Sequence, residues 1–228
     1  MKFGKRLKGQ MEESLPEWRD KFLSYKNLKR LLRADVVVDE AEFAESLDVE
    51  IEKFNAFFTE REEDFVIRRK ELNRRIDEVI VKGRREEMGE IGKDMVNFHG
   101  EMVLLLNYTN INYTGLGKIV KKYDKRSGGN LRARLMEKVA EQPFFATDLV
   151  AELAKECEAT IDGVLLPHCA ILGGVVGGGG IFKNAVAALL TMEEIRRESS
   201  TYGRYSLPPL DLPDFDLIRS LRTDSPVR

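Results

Sequence analysis

The sequence predicts an all-α fold with an N-terminal helical hairpin, an elongated three-helix bundle and a C-terminal amphipathic helix. Apolar residues recur at helical spacings of three and four along most of the chain, whereas the alternation expected of strands is nearly absent. Two of the apolar stripes are long enough for the paired helices of a bundle. The chain has 228 residues, of which 43% are hydrophobic, so it can bury one full core.

The N-terminal residues predict the hairpin. A short helix is expected over residues 2–13. A second helix is expected to begin near residue 15, because Ser14 and Glu17 have the spacing of a capping box and Pro16 suits a first turn. One face of this second helix is marked by residues at intervals of four and three: Trp18, Phe22, Tyr25, Lys29 and Leu32.

Three later segments predict the bundle. The first is a helix of about forty residues, or about 60 Å at 1.5 Å per residue, that begins near Phe43 and ends at Gly83. Its stripe continues through Leu47, Ile51, Phe54, Phe58, Phe65, Leu72, Ile76 and Val79. The stripe of a second, antiparallel helix comprises Ile91, Met95, Phe98, Met102, Leu105 and Thr109. A third helix is expected after Pro143, with one face formed by Leu149, Leu153, Cys157 and Ile161.

A glycine-rich segment divides the chain. We expect one domain over residues 1–166, a glycine-rich linker over 167–180, a helix over 181–200 and a flexible tail over 201–228. Residues 163–182 carry no formal charge, but Pro167 and the glycines after it disfavour a membrane span. The apolar stripe of the 181–200 helix comprises Phe182, Val186, Leu189 and Ile195. This stripe could contact a partner or pack on the protein's own bundle, and the sequence leaves both interpretations open.

The charges are unevenly distributed. The formal net charge is only −2, from 37 basic and 39 acidic residues. However, the segments 2–8, 21–33 and 118–126 are basic, whereas the charged residues of 35–64 are mostly acidic. Because local charge decides local binding, the small net charge does not exclude a polyanionic ligand.

The most informative segment is TGLGKIVKKYDKRSGG, residues 114–129. Four lysines at i, i+3, i+4 and i+7 share one helical face, and we call them the lysine cluster: Lys118, Lys121, Lys122 and Lys125. The opposite face is apolar and comprises Leu116, Ile119, Val120 and Tyr123. Like charges at this spacing destabilise a helix, with only Asp124 to relieve them from the flank. A bound anion would remove the repulsion.

Two further elements offer groups for an anion. Tyr25 and Lys29 are one turn apart, so a phenol hydroxyl and an ammonium group can point the same way. The chain start offers the α-amino group of Met1, together with Lys2, Lys5 and the unpaired N–H groups of a helix terminus. Spacing alone does not show that these elements converge on the lysine cluster. Three separate solvated basic faces remain the alternative.

The sequence offers no pattern typical of an enzyme or a metal site. The phosphate-loop pattern fails because Ile119 follows Gly117-Lys118. His99 and His168 are far apart and lack metal-ligand spacing to the cysteines. The first ten residues are charged without an apolar run, so Cys157 and Cys169 are expected to be reduced thiols in a cytosolic or nuclear protein. We therefore expect a binding protein without catalytic residues, metal or cofactor.

Three segments together resemble the SPX domain: MKFGK at the start, LPEWRDKFLSYKNLKR at 15–30 and NYTGLGKIVKKYDKR at 112–126. The resemblance covers residues 1 to about 166. The segment AALLTMEEIRRESSTYGRYSLPPL, 187–210, looks like that of plant stand-alone SPX proteins. The resemblance implies a helical hairpin packed on a three-helix bundle. It also implies binding of inositol polyphosphates, such as inositol hexakisphosphate or an inositol pyrophosphate, as a report of cellular phosphate status.

The resemblance also assigns roles to residues. By motif position, Tyr25, Lys29 and Lys122 correspond to the family's phosphate-binding cluster. Lys2 with the N-terminus adds contacts. Three other lysines correspond to the family's lysine surface cluster: Lys118, Lys121 and Lys125. The stand-alone class is implied to bind and inhibit a MYB-type coiled-coil transcription factor when liganded, without binding DNA itself, in nucleus and cytoplasm. The alternative function is direct binding of nucleic acid or phosphoinositide membrane by the same lysines.

Overall fold

A computed structural model describes residues 3–33, 38–84, 87–165, 184–185 and 187–192, and every regular element in these ranges is helical. The predicted all-α fold class is confirmed. The α-helices are α1 (Phe3–Glu13), α2 (Tyr25–Leu31), α3 (Glu40–Lys82), α4 (Met88–Ser127), α5 (Leu131–Ala140) and α6 (Asp148–Thr160). The shorter elements are two 3₁₀ helices, Pro16–Lys21 and Pro143–Phe145, and a π-helical turn, Ile161–Leu165.

Helices α3 and α4 form the long hairpin that the stripes predicted. They contain 43 and 40 residues. The predicted stripe of α3 is buried along its length, from Phe43 to Val79. Asp39 caps the start of α3 by accepting a hydrogen bond from the Ala41 N–H (2.9 Å). Gly83 ends the helix in the left-handed region (φ 67°), as predicted for a glycine just past a helix C-terminus.

Helix α6 completes the three-helix bundle, but its buried face differs from the prediction. Leu153 and Cys157 are buried as predicted, but Leu149 is 46% exposed, because Val150 and Ala154 complete the inward face in its place. That face comprises Val150, Leu153, Ala154 and Cys157. Burial raises the pKa of the Cys157 thiol to about 12, and its Sγ lies 3.5 Å from the carbonyl of Met95. Helix α5, between α4 and α6, was not predicted.

The predicted helix from residue 15 is wrong. The chain instead forms a 3₁₀ helix, leaves helical geometry at residues 22–24, and starts α2 at Tyr25. The predicted capping box is also wrong, because Leu15 occupies the N-cap position and the buried Ser14 hydroxyl has no hydrogen-bond partner in the described part of the chain.

Side chains of α3 and α4 stabilise this break. Asn112 Oδ1 accepts a hydrogen bond from the Leu23 N–H (2.8 Å), and Glu50 accepts one from the Ser24 N–H (3.0 Å). On the carbonyl side, Lys53 donates to Phe22 (2.9 Å) and Tyr108 donates to Lys21 (3.0 Å). These tertiary hydrogen bonds satisfy backbone groups that a continuous helix would have paired internally. They fix where α2 begins, and therefore where Tyr25 and Lys29 lie.

The C-terminal helix is described at 184–185 and 187–192, and it packs on its own bundle. Its buried residues are Ala185, Ala188, Leu189 and Met192. The Asn110 amide of α4 approaches the Met192 sulfur at 2.9 Å. Leu189 therefore contributes to the core, which favours the second interpretation of its stripe. The predicted linker 167–180, the tail 201–228, and the stripe residues Phe182, Val186 and Ile195 lie outside the described residues. Within the described ranges, no helix combines the length and apolarity needed to cross a membrane.

Candidate anion-binding site

The last three turns of α4 present the lysine cluster to solvent. All four of its lysines are exposed. The predicted apolar face is buried, with Leu116, Ile119 and Val120 fully enclosed and Tyr123 at 3% exposure. The amphipathic arrangement predicted for this segment is confirmed, and the apolar face anchors the helix that carries the charges.

Asp124 does not relieve the lysine cluster by pairing with it. Its two carboxylate oxygens accept hydrogen bonds from the N–H groups of Leu131 (2.9 Å) and Arg132 (3.1 Å), in the first turn of α5. This carboxylate therefore caps α5. Among the described residues, no ion pair involves any of the four lysines. The cluster thus keeps its cationic character.

Helix α2 brings a second group of cations to α4. The pKa of Lys122 is lowered, first by desolvation and then by the positive charges of Lys29 and Arg33. Arg126, in the last turn of α4, donates a hydrogen bond to the carbonyl of Leu32 at the end of α2. The structure therefore brings Lys29 and Lys122 together, as the site prediction required. The prediction missed Arg33, although its spacing of four from Lys29 in a basic segment was a usable signal.

Helix α1 reaches the same region through Phe3. The Phe3 ring meets the Tyr25 ring edge-on, with centroids 5.0 Å apart, and the Lys118 ammonium lies 5.7 Å from the Phe3 centroid. Burial raises the pKa of Tyr25, so its phenol stays protonated and can donate a hydrogen bond near neutral pH. Lys5 is exposed on α1, but no described contact joins it to the lysine cluster. Met1 and Lys2 lie outside the described residues.

The assembled surface is suited to binding anions. Ammonium groups from α2 and α4 lie beside a guanidinium and a phenol, and all of them donate hydrogen bonds. In the described ranges, no group of three or more His, Cys, Asp or Glu side chains is placed to hold a metal ion. His99 lies further down α4, where its Nε2 is 2.7 Å from a carboxylate oxygen of Glu158 on α6. It belongs to the helix packing and not to this site.

Comparison with known proteins identifies the family. The sequence model of the SPX domain family matches residues 1–36 and 84–139, which include Tyr25, Lys29 and the lysine cluster. SPX domain-containing protein 3 of Arabidopsis thaliana is 55% identical over 243 aligned residues, covering 100% of this chain and 99% of the relative. The chain belongs to the SPX domain family. SPX domain-containing protein 5 of Oryza sativa subsp. indica is 54% identical, with 97% of this SPX chain and 94% of the rice protein covered.

A solved SPX structure has the same fold. It is the SPX domain of Chaetomium thermophilum glycerophosphodiester phosphodiesterase 1 in complex with inositol hexakisphosphate. The TM-score is 0.63 at 30% sequence identity, and the match covers 71% of this chain and 98% of that domain. The family prediction is therefore confirmed, while the roles of individual residues and the 1–166 domain boundary remain predictions.

Proposed function

We propose that this SPX protein binds an inositol polyphosphate, either inositol hexakisphosphate or an inositol pyrophosphate, on the surface formed by α2 and the lysine cluster. The observation that carries the proposal is the approach of α2 to α4, where Arg126 donates a hydrogen bond to the carbonyl of Leu32 and where Lys29 and Arg33, after desolvation, lower the pKa of Lys122. Cations held together without carboxylates are unfavourable until an anion binds between them. The complex of the Chaetomium SPX domain with inositol hexakisphosphate supports this choice of ligand.

The number of donors favours a ligand with several phosphates. About six charge-assisted contacts, each worth ~1–2 kcal/mol and reduced by the cost of association, correspond to a micromolar dissociation constant. Inorganic phosphate can engage only a few of these donors at once. A loss of ~4 kcal/mol makes its binding about a thousandfold weaker, in the millimolar range. The six contributing lysines in the proposal are Lys5, Lys29, Lys118, Lys121, Lys122 and Lys125, with Tyr25 and the Met1–Lys2 terminus as further donors.

We further propose that the liganded protein binds and inhibits a MYB-type coiled-coil transcription factor, and so acts as a regulator of phosphate-starvation responses in nucleus and cytoplasm. An inositol polyphosphate carries more negative charge than the site neutralises. The complex therefore presents new negative charge beside the remaining lysines, where a basic helical segment of the partner can contact both protein and ligand. By linkage, the partner and the ligand then tighten each other's binding.

Calorimetric titration with inositol hexakisphosphate tests the ligand, with inorganic phosphate, duplex DNA and phosphoinositide vesicles as the other arms. We expect micromolar binding of inositol hexakisphosphate and weak binding of the other three. Micromolar binding of inorganic phosphate would refute a polyphosphate site. Tighter binding of DNA or vesicles would favour direct attachment to nucleic acid or membrane instead.

Capture of the transcription factor with and without ligand tests the partner. We expect capture to require inositol hexakisphosphate and to be lost in Lys122→Ala. The control is Lys70→Ala, because Lys70 is also exposed but lies roughly 40 Å along α3 from Phe43 at 1.5 Å per residue. Phe43 stacks on Tyr123 of α4, so it marks the site end of the bundle. Equal capture without ligand would contradict the proposed gating.

A further inference from the structure

We infer that Phe3 is a positioning residue of the ligand site, whose ring sets the Lys118 ammonium and the Tyr25 side chain relative to each other. The inference rests on the proposed function and adds a residue that does not itself contact an anion. One ring, carried by α1, contacts the other two elements of the site. It packs on Tyr25 of α2 (5.0 Å between centroids) and lies beneath Lys118 of α4 (5.7 Å to the ammonium), while Phe3 itself starts α1.

Gly115 is what allows the ring to lie against the backbone of α4. A Cβ atom at position 115 would lie 3.2 Å from Phe3 Cζ and 3.3 Å from Phe3 Cε1. It would also lie 2.5 Å from Cδ2 of Leu23, in the break that precedes α2. Helix α1, the break and α4 therefore meet at one residue without a side chain. Lys118 follows Gly115 by three residues, so its side chain rises on the same face, over the ring.

The contact with the ring limits the positions available to Lys118. A lysine has a flexible stem of four methylenes, and fixing it on binding costs conformational entropy. An ammonium group attracted to an aromatic face already occupies fewer conformers, so less entropy remains to be lost when the anion binds. Leucine at position 3 would keep the apolar contact but remove the π face. The loss of affinity should therefore come from the contribution of Lys118 to binding. The contribution of Lys121, which has no described contact with the ring, should be unchanged.

A double-mutant cycle tests this coupling in the full chain with inositol hexakisphosphate. We expect Phe3→Leu to weaken binding about fivefold relative to wild type. Lys118→Ala should cost about fivefold in the wild-type background but under about twofold in Phe3→Leu. Lys121→Ala should cost the same in both backgrounds. The matched control is Phe145→Leu, because Phe145 is also half-buried against a tyrosine, with ring centroids 4.8 Å apart, but its partner Tyr113 is outside the site.

A second readout needs no ligand. Ring currents of Phe3 should shift the NMR signals of the Lys118 methylenes upfield, and this shift should vanish in Phe3→Leu and persist in Phe145→Leu. Additive effects of Phe3→Leu and Lys118→Ala, or an unchanged Lys118 signal in Phe3→Leu, would overturn the inference. A wild-type chain that shows the ring-current shift but does not bind inositol hexakisphosphate would refute the proposed function, and with it the role of Phe3 in binding.

Discussion

Lys122 brings charge into the candidate site without supporting the fold. Its side chain is exposed, and among the described residues no ion pair or hydrogen bond uses its ammonium group. Desolvation disfavours its charged form first, and Lys29 and Arg33 then repel it. Replacing Lys122 with alanine removes this repulsion and no stabilising contact. We therefore expect Lys122→Ala to unfold at the wild-type temperature or slightly above it.

The same substitution should weaken ligand binding by a predictable amount. A charge-assisted contact with phosphate at an exposed site is worth ~1–2 kcal/mol, which corresponds to about a five- to thirtyfold loss of affinity. Isothermal titration calorimetry with inositol hexakisphosphate measures the affinity, and thermal unfolding measures the stability. Lys70→Ala, which also removes an exposed lysine but from the distant part of α3, should leave both unchanged. Wild-type affinity in Lys122→Ala, or a variant that fails to fold, would refute the reasoning.

Three further predictions follow from the same geometry. Tyr25→Phe removes one neutral donor and should weaken inositol hexakisphosphate binding by about two- to fivefold in calorimetry, less than Lys122→Ala does. Asn112→Ala leaves the buried Leu23 N–H without its acceptor and should lower the free energy of unfolding by about 1–3 kcal/mol in a denaturant titration; full stability would contradict the assigned role of Asn112. The pKa of Lys122 lies below its ordinary 10.5, so between the two values the unfolded chain binds more protons than the folded chain. Stability of the free protein should therefore rise with pH across that window while affinity for the anion falls, and both slopes should be smaller in Lys122→Ala.

The long helices could be predicted because their signal is local. Apolar residues at helical spacing run from Phe43 to Val79, and Gly83 follows, so stripe and stop signal agree. The start of α2 could not be predicted because it is decided by distant residues. Nothing near Leu23 in the sequence indicates that Asn112, 89 residues later, accepts its N–H. Tertiary hydrogen bonds at residues 21–24 thus outweighed the local helical pattern that continued through them.

The candidate site was likewise predictable only where its signal lies within one helix. The lysine cluster depends on spacing within one helix, and α4 presents it as predicted. The approach of α2 to α4 depends on the fold, and only the structure shows it, through the hydrogen bond from Arg126 to the carbonyl of Leu32 and the effect of Lys29 and Arg33 on the pKa of Lys122, which follows that of desolvation. The position of Phe3 beneath Lys118 depends on a glycine whose importance appears only when the neighbouring elements are in place.

The unpaired cations are compatible with a stable protein because of how α4 is anchored. Like charges one turn apart cost only a few tenths of a kcal/mol each, whereas burying one large apolar side chain contributes about 1.5–3 kcal/mol. On the same turns as the lysine cluster, α4 buries Leu116, Ile119 and Val120 completely, and Tyr123 stacks on Phe43 with centroids 4.5 Å apart. The apolar face therefore outweighs the repulsion several times over. Asp124, the one carboxylate within the cluster's own segment, is held by α5, so the positive charge stays available to an anion from solution.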